Sequence, residues 1–178
     1  MASGADDPVL VVPYDPRWPT LFEEERISIE RAIGPFVEEI EHVGSTAVPD
    51  LAAKPVIDIM VGVSSLQDSP ILVERLGDIG YEYVPELERH IPSRRYFRKK
   101  LGGRRTHQIH LVERSNSEWW DRHVIFRDYL RAHPEVAEEY ARLKYELSGR
   151  FREDREAYTG AKTAFISGCV RRAEREEG

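Results

Sequence analysis

Residues Val56 to Val63 read Val-Ile-Asp-Ile-Met-Val-Gly-Val. An almost continuous apolar, β-branched run of this length predicts a strand buried on both faces, and such a strand needs cover on either side of its sheet. Asp58 is the one charge in the run. An isolated carboxylate in an apolar strand is costly unless it meets a cation or hydrogen-bond donors, so Asp58 is the first candidate for a functional residue.

The rest of the chain supplies the layers. Thr20 to Ile33 places Leu21, Phe22, Ile29 and Ile33 at near-helical spacing, with Gly34-Pro35 as a stop. Phe36 to Val43 reads as a strand and Gly44 to Pro55 as a loop punctuated by Pro49 and Pro55. Ser69-Pro70 offers an N-cap and an N1 proline, and Gly80 a C-cap, for a helix over Ile71 to Ile79. Tyr81 to Val84 returns as a short strand. Arg94 to Leu101 and Arg104 to Glu113 flank Gly102-Gly103, a dipeptide suited to the positive φ angles of a two-residue hairpin turn. From Ser117 onward the period is helical, over Glu118 to Ala132, Pro134 to Arg150 and Glu156 to Arg172. The expected architecture is α/β in the α+β sense: a small mixed sheet with flanking helices and a helical C-terminal third. One domain is expected over 1–178, with 1–8 and 173–178 as loose tails.

Charge and cysteine content narrow the partners. A net charge of −6 and a pI near 5.6 argue against a dedicated nucleic-acid binder, whose phosphate affinity comes from excess Lys and Arg. No apolar run is long enough to span a bilayer, and Asp6 and Asp7 stand where a secretory signal would be positive, so a cytoplasmic location is expected. Cys169 is the single cysteine, which fits a reducing compartment and reads as a buried helix residue.

The chemistry concentrates in Glu41 to Met60. Gly44 followed by Ser45 and Thr46 after a strand is able to turn backbone N–H groups and hydroxyls toward an anion; an ordinary strand-ending turn has the same composition. On the hairpin strand, the two-residue period puts Thr106, Gln108 and His110 on one face, and His107 and Glu113 on the other. His110 reads either as a ligand or base, or as a hydrogen-bonded structural histidine. The basic residues from Arg94 to Arg105 read as charges guarding an exposed edge, or as a basic rim for a phosphate-bearing or acidic ligand. For Lys144, Arg155, Tyr158 and Lys162 a solvated helix face is the simplest reading.

Five stretches carry a resemblance: Tyr-Asp-Pro-Arg-Trp-Pro-Thr-Leu-Phe (14–22), Glu-His-Val-Gly-Ser-Thr-Ala-Val-Pro (41–49), Leu-Ala-Ala-Lys-Pro-Val-Ile-Asp-Ile (51–59), Thr-His-Gln-Ile-His-Leu-Val-Glu (106–113) and Arg-Glu-Ala-Tyr-Thr-Gly-Ala-Lys (155–162). In these the chain resembles the GrpB family, a group of nucleotidyltransferase-like fold that also occurs appended to some dephospho-CoA kinases. The resemblance implies a loop that holds a nucleotide phosphate and a following strand whose aspartate holds Mg²⁺. It assigns phosphate binding to His42, Gly44, Ser45, Thr46, Lys54, Arg95, Lys144 and Lys162, and catalysis and metal binding to Asp58 and His110. Two departures stand out. Met60 occupies the place of a second carboxylate, and a thioether is a poor ligand for a hard cation. Gln108 occupies the first place of a His-apolar-His pattern. The two functions left open are nucleotidyl transfer to an acceptor, and non-catalytic binding of a nucleotide or coenzyme A derivative.

Overall fold

A computed structural model describes residues 8–178. Five strands form one mixed sheet: β1 (Val37–Val43), β2 (Ile57–Val63), β3 (Tyr81–Tyr83), β4 (Arg94–Leu101) and β5 (Arg104–Glu113), in the order β1-β2-β5-β4-β3. β2 runs parallel to β5 and antiparallel to β1, while β4 lies antiparallel to both β5 and β3. The apolar run is thus a central strand, as its two-sided apolarity requires.

Two helices, α1 (Trp18–Ile33) and α2 (Ser69–Asp78), cover one face. Ile29, Ile33, Leu72 and Leu76 pack there against Ile57, Ile59, Val61, Val63, Phe97, Ile109 and Leu111. The other face is covered by α3 (Glu118–Ala132), whose Trp120 packs on Val43, Met60 and Val112. Behind it lie α4 (Pro134–Arg150), α5 (Arg155–Ala161) and α6 (Thr163–Glu177), with Cys169 fully buried among them. The helical C-terminal third is therefore one layer of the fold, as expected. No helix among the described residues is long and apolar enough to cross a membrane.

The hairpin falls where the diglycine puts it, with Gly102 and Gly103 at φ 57° and 80°. Several local readings need correction. Ser69 is the first residue of α2 rather than its cap: a short 3₁₀ turn over Leu66–Asp68, capped by Ser65, runs straight into the helix. The helix expected over 156–172 divides at Lys162; Gly160, a poor helix former, sits in the last turn of α5. Its second half runs on to Glu177, through the stretch expected to be loose, while residues 1–7 lie outside the described residues. A bulge opposite Lys99–Lys100 takes Thr106 out of the regular alternation, so that Arg105 takes its place on the side of Gln108.

Candidate functional site

Strand register decides which side chains meet. Pairing places Asp58, Gln108 and Arg98 in one row, and Met60, His110 and Tyr96 in the next, all on the face covered by α3. Asp58 stands at the start of β2 with 27% of its side chain accessible. Its Oδ1 accepts a hydrogen bond from the Gln108 amide at 2.9 Å and from His110 Nε2 at 3.2 Å. Gln108 in turn accepts from the Tyr96 hydroxyl and, at 3.4 Å, from Arg105. On the far side of the imidazole, Arg94 Nη1 lies 3.3 Å from His110 Nδ1. A guanidinium only donates, so Nδ1 is the acceptor and Nε2 carries the proton that it shares with Asp58. Burial lowers the His110 pKa, with Arg94 adding to that against the pull of Asp58, so the ring is neutral. Burial would raise the Asp58 carboxyl, but the His110 hydrogen bond and the charges of Lys54 and Lys162 hold it below its ordinary value.

A cluster of amines faces this carboxylate. Lys54 and Lys162 lie over the Tyr158 ring, 5.1 and 4.4 Å from its centroid. Lys144, from α4, donates to the Ala52 carbonyl and sits 4.6 Å from the Tyr140 ring, whose hydroxyl is hydrogen-bonded to Ser45. Arg155 and Arg105 add positive charge on the same side. Desolvation is the main cause lowering each lysine: Lys162 to about 8, Lys54 to about 7 and Lys144 to about 6, with mutual repulsion contributing. Ser45, Lys54, Asp58, His110, Lys144 and Lys162, expected to act together, are therefore brought to one place by β2, β5, the 44–55 loop, α4 and α5.

Gly44 joins them through its backbone. Its φ is 74°, and a Cβ there would lie 2.6 Å from Asp58 Oδ2, so both the turn and the approach of the loop to the carboxylate require glycine. Three expected site residues stand apart. His42 points to the α1 side, stacked on Phe22 at 4.7 Å and hydrogen-bonded at 2.9 Å to Thr46, which is itself buried. Burial takes its pKa down to about 4, so this neutral pair supports the turn from below. Arg95 also faces the α1–α2 layer, because it pairs with Leu111; it holds Ser69 and Glu88. Alternation along β4 explains the miss: of Arg94 and Arg95 only one is able to reach the Asp58 face.

The sequence did not point to the clamp above the turn. Arg127 on α3 bonds the His42 carbonyl at 2.9 Å and pairs with Glu41 and Asp128, and Arg131 bonds the Ala47 carbonyl at 2.9 Å. The signal available was two arginines four residues apart on a helix with a buried stripe. Nor did composition single out Arg94, buried between the Tyr96 and Trp119 rings, as the residue that fixes the His110 tautomer.

The donor set does not fit a resident Mg²⁺. Among the described residues no group of three or more His, Cys, Asp or Glu is placed to hold a metal. Both His110 nitrogens are engaged, Asp58 Oδ1 already accepts two hydrogen bonds, and Met60 is fully buried against Val43, Val112 and Trp120. A hard cation would meet one carboxylate flanked by lysines.

Fold and site together define a mixed α+β protein that surrounds a single strand-borne carboxylate with amines on one sheet face. The chain belongs to the GrpB family: the family model described as GrpB protein matches residues 8–172. A crystal structure of conserved protein GrpB from Enterococcus faecalis is 36% identical and superposes with a TM-score of 0.85, covering 94% of this chain and 99% of that one. Glutamate-rich protein GrpB of Alkalihalophilus pseudofirmus is 38% identical over 89% of this chain and 91% of its own length. UPF0157 protein YqkA of Bacillus subtilis is also 38% identical, over 94% of this chain but 48% of its own length. A dephospho-CoA kinase of Mycolicibacterium paratuberculosis matches 93% of this chain at 30% identity, and the chain spans 46% of it.

Proposed function

We propose that this protein binds the phosphate groups of a nucleotide or coenzyme A derivative on the sheet face of Asp58, in the manner of a nucleotidyltransferase-like fold, and does so in the cytoplasm. The observation that carries the reading is the convergence of Lys54, Lys144 and Lys162 beside the Gly44–Thr46 turn. Three desolvated amines in one place are unfavourable in the empty protein, and an anion is what would compensate them. Ser45 would donate to a phosphate oxygen, while Lys54 and Lys162 would neutralise its charge. Asp58, tied to Gln108 and His110, would stand beside the phosphates without touching them.

Nucleotidyl transfer is the second reading, favoured by the close approach of Gly44 to Asp58. It lacks a second carboxylate at Met60, and His110 has no free lone pair with which to take a proton. The test is thermal: nucleoside triphosphates of all four bases, coenzyme A and dephospho-coenzyme A at millimolar concentration should raise the melting temperature by mass action. No shift with any of them would remove the proposal. A pyrophosphate-release screen, with Met60→Asp beside the wild type, addresses transfer; robust wild-type turnover would restore the enzyme reading.

A further inference from the structure

We propose that the site binds its polyphosphate free of divalent metal, with the Lys54, Lys144 and Lys162 amines standing where related chemistry places a cation. The inference rests on the phosphate-binding reading above and specifies the form of the ligand.

Geometry carries it. A metal-dependent phosphate site gathers carboxylates, because the ion must be held by anionic oxygens before it bridges to the ligand. Here, among the described residues, the proportions are inverted, with one carboxylate against three amines. The carboxylate is also partly committed: Oδ1 takes two hydrogen bonds, and the space beside Oδ2 would not admit a Cβ at Gly44. Among the described residues the amines are not paired with carboxylates of their own. Lys54 and Lys162 rest on the face of Tyr158, and Lys144 on a backbone carbonyl, contacts that hold a nitrogen without neutralising it.

Residue choice points the same way. The chain has five lysines, at 54, 99, 100, 144 and 162, against a background of arginines. Lys99 is paired with Glu25 at 2.7 Å and Lys100 is exposed; the other three all sit here. Guanidinium stays charged when buried, whereas an amine is able to shed its proton in the empty site and regain it when an anion arrives. The lowered lysine pKa values agree with such a site.

Metal-free and metal-bridged binding predict opposite effects at Asp58. In a metal-bridged site Asp58 holds the ion, and Asp58→Asn abolishes binding. In the metal-free site its charge repels the ligand, and Asp58→Asn leaves binding intact or tighter. The experiment is titration calorimetry and thermal shift of the full chain with inorganic tripolyphosphate, ATP and coenzyme A, each in EDTA and in excess Mg²⁺. Binding in EDTA at least as tight as in Mg²⁺ is expected, and Lys162→Gln should weaken it by about tenfold or more, the loss of one charge-assisted hydrogen bond. Binding that appears only with Mg²⁺ overturns the inference and leaves the phosphate-binding proposal standing. Silence in both conditions overturns both. An undiminished affinity in Lys162→Gln, or loss of EDTA binding in a folded Asp58→Asn, also overturns it; if Asp58→Asn does not fold, the lysine variant and the metal comparison still decide.

Discussion

At the residue scale, the site is a set of local compromises that single substitutions should expose. Gly44→Ala is expected to cost about 1–3 kcal/mol, because φ 74° is strained for alanine and the added methyl would enter the Asp58 carboxylate. Urea unfolding measures it; a loss no larger than that of an exposed Gly→Ala change would show that the loop does not need its close approach. The fully buried Tyr158 presents the reverse case, since its hydroxyl has no hydrogen-bond partner among the described residues while its ring supports two lysines. Tyr158→Phe should therefore be neutral or stabilising, and Tyr158→Leu clearly destabilising, in the same assay. A buried hydroxyl without a partner is a cost that phenylalanine removes. Loss of stability in Tyr158→Phe would mean that the hydroxyl is engaged by solvent or ligand.

At the scale of elements, the decisive contacts run between β1, the 44–55 loop and α3. Arg127 is the buried link, bonded to the His42 carbonyl, Glu41 and Asp128. Arg127→Ala should cost about 3 kcal/mol, the lower end for breaking a buried pair because Glu41 and Asp128 remain partly hydrated. Chemical denaturation beside Arg131→Ala, which breaks a part-buried bond to the Ala47 carbonyl and a longer pair with Asp128, checks the ranking. Elements such as these were legible wherever a backbone rule acted alone. The diglycine marked the β4–β5 hairpin, and the apolar run marked β2 with its one carboxylate. Pairings between distant elements were not legible. Nothing in the local pattern says that Arg94 shares a face with His110 while Arg95 meets Ser69, since the register across β4 and β5 decides it. The bulge that exchanges Thr106 for Arg105, and the break at Lys162, likewise depend on tertiary packing. The lysines were singled out through family resemblance; their convergence came from the fold.

At the scale of the whole molecule, a net charge of −6 conceals a local excess of positive charge that should govern stability. Lys144, Lys54 and Lys162 titrate in the folded protein at about 6, 7 and 8, below the ordinary lysine value. Between those values and about 10.4 the unfolded chain binds protons that the folded one lacks, so stability rises with pH across the window. The penalty is full below the folded values and vanishes above the unfolded one. His42 and His123, both lowered to about 4 by burial, add the same sign between about 4 and 6.5. Urea midpoints at intervals from pH 6.5 to 9.5, below tyrosine ionisation, should climb steadily. Lys162→Gln removes one of the groups responsible, so the variant should be more stable than the wild type at pH 7, and its midpoint should rise less with pH. It should gain that stability while losing ligand response, the usual exchange at a binding site. A wild-type midpoint that is flat or falling over this range would mean that the three amines stay charged when the site is empty. An anion would then have no proton-linked penalty to relieve.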